Sequence, residues 1–125
     1  DMIKNATSAA NHLRAFLSDY ARDVEHFVLI YLNNQNKVIT TEVVASGTIN
    51  SSAVYPRQIA IKALEKEATN VILAHNHPSG ETMPSNSDRA VTKKLQTGLS
   101  ALDIDILDHI IIGEGHYSFA DAGLL

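Results

Sequence analysis

A short apolar run, a long polar loop and an amphipathic helical pattern follow one another between residues 71 and 102. Val71 to Ala74 has the composition of a short buried strand, and the helical pattern begins at Ser87. Residues 75–88 hold two histidines, two prolines, a glycine and an aspartate. Since α/β proteins commonly place ligands and chemistry in polar loops at the carboxyl ends of buried strands, we expect residues 75–88 to form the functional site.

Helical and extended patterns alternate along the whole chain. The predicted elements, in order, are a helix over 2–21, strands over 26–32 and 37–45, a helix from Pro56 to about residue 69, a strand over 71–74, a helix over 87–102, and strands over 105–112 and 116–119. Because helices alternate with strands and two hairpins are indicated, we expect an α/β fold, a three-layer α/β/α sandwich with a mixed β-sheet.

The composition fits a single domain over residues 1–125, with 45% apolar residues and one packed core. The absence of cysteine excludes disulfides and thiolate metal sites, and it suits a cytoplasmic location. The longest apolar runs are far below the ~20 residues of a membrane span. A net charge of −4 does not support nucleic-acid binding. Because the first residue is Asp1 rather than Met, we expect this to be the C-terminal part of a longer protein.

His75, His77 and Asp88 are candidate metal ligands. In extended backbone, side chains two residues apart point the same way, and Pro78 favours extended backbone at His77. Asp88 is the one charged member of the apolar face of the following helix, at its first turn. Two imidazoles, a carboxylate and a water form a four-coordinate catalytic zinc site, in which the pKa of the water falls to ~7.

A simpler interpretation competes with the metal site. Isolated His-x-His pairs are common on surfaces, and Ser85-x-x-Asp88 is also the pattern of a helix capping box. The combination of both patterns between a buried strand and an amphipathic helix favours the metal, and the cap is compatible with it.

Asp108 and His109 lie in the strand predicted over 105–112. Regular alternation places Asp108 on an apolar face with Ile106 and Ile110, where a carboxylate needs a partner. That partner is either the second nitrogen of a ligand histidine or the backbone, and the sequence leaves both open. His109, on the opposite face, is predicted to be a surface or packing residue.

The spacing His75-x-His77-Pro78-x6-Ser85-x-x-Asp88 resembles the JAMM motif of the MPN (JAB) domain metallopeptidases. Several surrounding segments are similar to one bacterial branch, the RadC family. These segments are Ser46–Asn50, Tyr55–Arg57, His75–Gly80, Pro84–Asp88 and Asp108–Gly113. The resemblance extends from about residue 25 to the end of the chain.

The resemblance implies a fold like that of the cytidine deaminases and a zinc ion held by His75, His77 and Asp88. It assigns Ser85 to stabilising the oxyanion, and Glu25, at the start of a strand, to general acid/base catalysis. Without the resemblance, Glu25 would be interpreted as a solvated charge. Glu42 is the competing candidate for the general acid/base. RadC proteins usually also carry a helix-hairpin-helix domain on the N-terminal side.

Two classes of function follow from these features. The first is a zinc-dependent metallohydrolase that cleaves peptide or isopeptide bonds in a peptide or protein substrate. The second is a DNA repair-associated binding or accessory module of the RadC type, in which the zinc is structural or vestigial. A nuclease ranks last, because the site lacks a second-metal carboxylate cluster. Cytidine deamination is excluded, because that chemistry uses a zinc site with cysteines.

Overall fold

A computed structural model describes all residues from Asp1 to Leu125. The elements are α1 (Ala6–Leu17), β1 (His26–Leu32), β2 (Val38–Ser46), α2 (Pro56–Glu65), β3 (Asn70–Asn76), α3 (Asn86–Ser100), β4 (Asp105–Ile112) and β5 (His116–Ser118). The five strands form one sheet in the order β2-β1-β3-β4-β5. Only β3 and β4 are parallel neighbours, so the sheet is mixed. The predicted order of elements and the α/β class are confirmed.

The sheet separates two apolar cores, one on each of its faces. On one face, α2 and α3 pack against the side chains of Phe27, Leu29 and Leu73. On the other face, α1 packs against Val28, Ile30 and neighbouring residues of β3 and β4. Every residue of β1 is buried, because successive side chains of a strand point to opposite faces and both faces are covered. This gives the predicted three-layer sandwich, with β3 at the centre of the sheet.

The first helix is shorter than the pattern over 2–21 predicts. Asn5 caps its start, and Asn5 and Ser8 exchange hydrogen bonds as a capping box. Residues before this cap add to the sheet instead, since Met2 bridges Lys37 and the Ile3 amide donates to Asn36. None of the three helices is long and apolar enough to cross a membrane.

A β-bulge in β4 interrupts the regular alternation of side chains between Ile106 and Asp108. Val71 pairs with Ile106, but the next residue of β3, Ile72, pairs with Asp108. Because a strand alternates with a period of two, one unpaired residue moves all later side chains to the opposite face. His109 therefore lies beside Leu73 on the α2–α3 face, and Asp108 lies on the opposite face with Ile110. The prediction that Asp108 shares a face with Ile110 is confirmed, and the prediction that it also shares this face with Ile106 is wrong.

Gly98 allows α3 to approach the first turn of α2. A Cβ atom at this position would lie 2.6 Å from the Cβ atom of Pro56, whose ring cannot rotate away. We expect Gly98→Ala to lower the free energy of unfolding by about 1 kcal/mol, because overpacking costs roughly 1–3 kcal/mol and exceeds the gain of about 1 kcal/mol in helix propensity.

Denaturant unfolding measures this effect, with Thr97→Ala on the exposed side of the same helix as the control. The control is expected to be neutral or slightly stabilising. A Gly98→Ala variant at least as stable as Thr97→Ala would contradict the close contact.

Candidate metal centre

Four side chains converge beside the carboxyl end of β3, the central strand of the sheet. They belong to Glu25, His75, His77 and Asp88. The Nε2 atoms of His75 and His77 are 2.9 Å apart. The two carboxylate oxygens of Asp88 each lie 3.2 Å from one of these nitrogens. Glu25 is more distant, with its Oε1 atom 3.9 Å from His75 Nε2. One ligand atom from each of the four residues lies within 4.8 Å of the others, which is close enough for a single metal ion.

The strand pairing explains why Glu25 joins the two histidines. β1 runs antiparallel to β3, so the start of β1 lies beside the end of β3, and Phe27 pairs with His75. Glu25 immediately precedes β1 and therefore reaches the same edge of the sheet. Glu42 lies elsewhere, where it accepts a hydrogen bond from the Tyr31 hydroxyl at 2.6 Å and pairs with Lys62 at 3.4 Å.

Asn76 fixes the backbone on both sides of Glu25. Its side-chain oxygen accepts from the His26 amide at 2.8 Å, and its side-chain nitrogen donates to the Val24 carbonyl at 2.9 Å. Sequence reasoning assigned Asn76 no role. Its position between the two histidines was visible, but its partners are about fifty residues away and depend on the pairing of β1 with β3.

The loop after β3 is held against the β4–β5 turn. The His77 amide donates to the Ile112 carbonyl at 2.8 Å, and the Glu114 amide donates to the Gly80 carbonyl at 2.8 Å. A Cβ atom at Gly113 would lie 2.3 Å from that Gly80 oxygen, so only glycine permits this approach. Arg14 of α1 supports the turn by donating to the carbonyls of residues 113 and 115.

The orientation of the His77 ring follows from its second nitrogen. Nδ1 lies 2.8 Å from the Glu81 carbonyl oxygen, which can only accept a hydrogen bond. Nδ1 therefore carries the hydrogen, and Nε2 of the neutral ring keeps its lone pair on the side of Asp88. This is the usual outer contact of a metal-ligating histidine.

Asp88 serves the helix cap and the cluster together. Ser85 Oγ accepts from the Asp88 amide at 3.0 Å, and Asp88 Oδ2 accepts from the Ser85 amide at 2.8 Å. Burial alone would raise the pKa of Asp88, but the adjacent His75 imidazole and the hydrogen bonds with Ser85 hold it well below its usual range. Asp88 is thus ionised and able to bind a cation, so the cap and the metal interpretation are compatible.

Ser85 and Glu25 are more accessible than the buried Asp88. Ser85 is exposed, and its Oγ atom accepts from the Asp88 amide. Glu25 is partly buried, and this burial raises the pKa of its carboxyl group.

His109 is fully buried beside the cluster, whereas the sequence predicted a surface or packing residue. Its ring stacks on Phe119, with ring centroids 4.6 Å apart, but it also makes two hydrogen bonds. Nε2 lies 2.8 Å from His75 Nδ1, and Nδ1 lies 2.6 Å from Thr92 Oγ1. Burial holds the pKa of His109 well below its usual range. The available sequence signal was a histidine in a strand otherwise rich in isoleucine.

Asp108 has a structural role, one of the two alternatives that the sequence left open. Its carboxylate accepts from the Ser118 hydroxyl at 2.6 Å and from the Ala120 amide at 3.0 Å. These bonds hold the chain after β4 against the strand. The remaining histidines, His12, His26 and His116, lie outside the cluster.

A mixed sheet between helical layers, with a His₂Asp cluster at the end of its central strand, defines an α/β domain of the JAB (MPN) class with a candidate metal centre. The family model described as "RadC-like JAB domain" matches residues 3–124. The chain belongs to this RadC-like JAB family, as its sequence motifs predicted.

Several curated bacterial proteins are similar to the chain. It is 44% identical over 122 residues to a UPF0758 protein of Vibrio atlanticus, covering 95% of this chain and 54% of the relative. It is 46% identical over 121 residues to a UPF0758 protein of Photobacterium profundum, covering 94% and 54%. A UPF0758 protein of Vibrio cholerae is 40% identical over 125 residues, covering 100% and 78%. The chain thus spans about half the length of the first two relatives.

The cluster predicts that a divalent ion stabilises the fold. Zn²⁺ at about 100 times its dissociation constant is expected to add about 2.7 kcal/mol to the free energy of unfolding. We expect a corresponding rise in Tm for the wild type and little rise for His77→Ala, which lacks one of the four clustered donors. Differential scanning calorimetry with and without Zn²⁺ measures the rise in Tm of each protein. His116→Ala, at an exposed histidine outside the cluster, should respond as the wild type does.

Proposed function

We propose that this domain is a zinc-dependent hydrolase that cleaves amide bonds, in peptides or in isopeptide linkages of proteins. His75, His77 and Asp88 are its zinc ligands in this proposal, since two nitrogen donors and one oxygen donor suit zinc. The observation that carries the proposal is the position of Glu25. Its carboxylate lies 3.9 Å from His75 Nε2, so an acid/base group stands beside a complete ligand set.

Zinc bound to these ligands would polarise the substrate carbonyl and make a water molecule more acidic. Glu25 accepts the proton of the attacking water on its carboxylate as the new C–O bond forms. It then donates this proton to the amine nitrogen as the C–N bond breaks, and the carboxylate is regenerated.

Ser85 is proposed to stabilise the negative charge that develops on the substrate oxygen. Its Oγ atom is held by the Asp88 amide at 3.0 Å, and the residue is exposed beside the cluster. A donor fixed in advance is more effective than one that must reorganise during the reaction. The helix cap thus supports the same group that would contact the oxyanion.

A cleft beside the cluster supports a peptide or protein substrate. It has a volume of about 570 Å³ and lies between the end of α1 and the loop after β3. His77 and Pro78 line it on one side, and Arg14 and Tyr20 line it on the other. Polar and aromatic groups of this kind suit the backbone and side chains of an extended peptide. A cytoplasmic location, which the lack of cysteine suits, belongs to the same proposal.

Glu25→Gln separates the chemistry from metal binding. The amide keeps the shape of the side chain but cannot accept the proton, so we expect retained zinc and a fall of about 10²–10⁴-fold in kcat. Zinc content is measured by elemental mass spectrometry, and turnover is measured with a library of quenched fluorescent peptides and isopeptides. His77→Ala is expected to lose both zinc and turnover.

Glu42→Gln is the matched control, because the same substitution there removes a carboxylate outside the cluster. Full activity in both Glu25→Gln and His77→Ala would overturn the proposal. An inactive wild type that binds DNA with a strong salt dependence would favour the DNA-associated alternative, which the net charge of −4 does not support.

A further inference from the structure

Three side-chain hydrogen bonds form a continuous chain behind the metal cluster. His75 Nδ1 lies 2.8 Å from His109 Nε2, and His109 Nδ1 lies 2.6 Å from Thr92 Oγ1. The Thr92 hydroxyl in turn donates to the Asp88 carbonyl at 2.8 Å. The three side chains are at most 2% exposed, so water does not compete for these contacts. This series of hydrogen bonds joins β3, β4 and α3 and ends at Asp88, whose side chain completes the capping box of α3.

The contact with the Asp88 carbonyl indicates which atom donates in each hydrogen bond of this series. The Asp88 carbonyl can only accept, so Thr92 uses its single hydroxyl hydrogen there. In the one arrangement of neutral rings that makes all three contacts hydrogen bonds, Thr92 Oγ1 accepts from His109, and Nδ1 of His109 carries the hydrogen. A neutral imidazole has one hydrogen, so Nε2 of His109 is an acceptor. His75 consequently donates from its own Nδ1.

We infer that His109 is a positioning residue of the metal centre, which fixes His75 in the tautomer whose Nε2 lone pair faces His77, Asp88 and Glu25. The inference rests on the proposed metal site. Metal-ligating histidines usually donate their second N–H to a carboxylate, a carbonyl or water. Here another histidine is the acceptor, and Thr92 determines which of its nitrogens accepts.

The aromatic neighbours of His109 keep its ring in this orientation. Phe119 stacks on it with an interplanar angle of 18°. Phe27 meets it edge-on, with an interplanar angle of 87°. A ring held between two aromatic groups cannot turn to exchange its nitrogens without disturbing the packing. The β4 bulge is what brings His109 to this face, because regular alternation would have placed Asp108 here.

Thr92→Val tests the inference with little change in volume. Valine removes the hydroxyl that dictates the His109 tautomer, and we expect zinc affinity to fall about 10–100-fold, the usual effect of losing an outer-shell partner. Thr92→Ser restores the hydroxyl and should recover the wild-type affinity. His109→Phe keeps an aromatic ring but removes the acceptor, and it should weaken zinc binding similarly. Affinity is measured on the full chain by competition with a zinc chelator.

Nitrogen-15 NMR of the histidine rings gives a readout that a purely structural role would not change. In the wild type we expect hydrogen on Nδ1 of both His75 and His109, and in Thr92→Val we expect a mixture of tautomers at His109. A His75 that carries hydrogen on Nε2 alone in the metal-free wild type would overturn the inference. So would zinc affinities of Thr92→Val and His109→Phe within about twofold of the wild type.

The same experiment distinguishes this inference from the proposed function. A wild type that binds zinc with the expected tautomers but hydrolyses no substrate contradicts only the hydrolase. Unchanged zinc affinity in both folded variants, Thr92→Val and His109→Phe, contradicts only the role of His109. A wild type that binds no zinc overturns both. If His109→Phe fails to fold, the zinc affinities of Thr92→Val and Thr92→Ser decide whether the inference holds.

Discussion

The pairing of β3 with its two neighbours is the constraint on which the rest of the molecule depends. β3 is the central strand, and its core residues 71–75 are buried by helices on both faces. Its polar end therefore has to satisfy its hydrogen bonds with protein groups rather than with bulk water. The antiparallel partner β1 brings Glu25 to this end, and the parallel partner β4 brings His109. The candidate metal centre is a consequence of which strands lie beside β3.

The polar groups at this end of β3 fix one another's orientation through directional hydrogen bonds, which apolar packing does not provide. Asp88 accepts from the helix cap while facing the two histidines, and His77 is oriented by a backbone carbonyl. Fully satisfied buried networks hold their members in one arrangement, and partly satisfied ones are costly. The arrangement therefore keeps one potential ligand atom from each of four side chains within 4.8 Å of the others before any ion is present, which reduces the reorganisation that binding requires.

All three layers of the sandwich contribute to the site, including the helix on the face away from α3. Arg14 of α1 holds the β4–β5 turn, and that turn holds the loop that contains His77 through the contact of Gly80 with Gly113. Asn76 fixes the segment around Glu25 from the same strand that carries the ligands. The site is thus built on strand ends, the start of α3 and a loop braced by hydrogen bonds, which hold side chains more rigidly than an unbraced loop does.

The sequence by itself determined the order of the elements, the helix cap at Ser85 and the local set of His75, His77 and Asp88, because each depends on residues close in the chain. Motif resemblance added Glu25, which composition and periodicity could not separate from Glu42. Only the tertiary structure decided the roles of Asn76, Asp108 and His109. The partners of Asn76 and His109 are distant in sequence, and a single unpaired residue in β4 separates Asp108 from the face of Ile106. Periodicity cannot reveal such a bulge, because it arises from pairing between strands rather than from the strand itself.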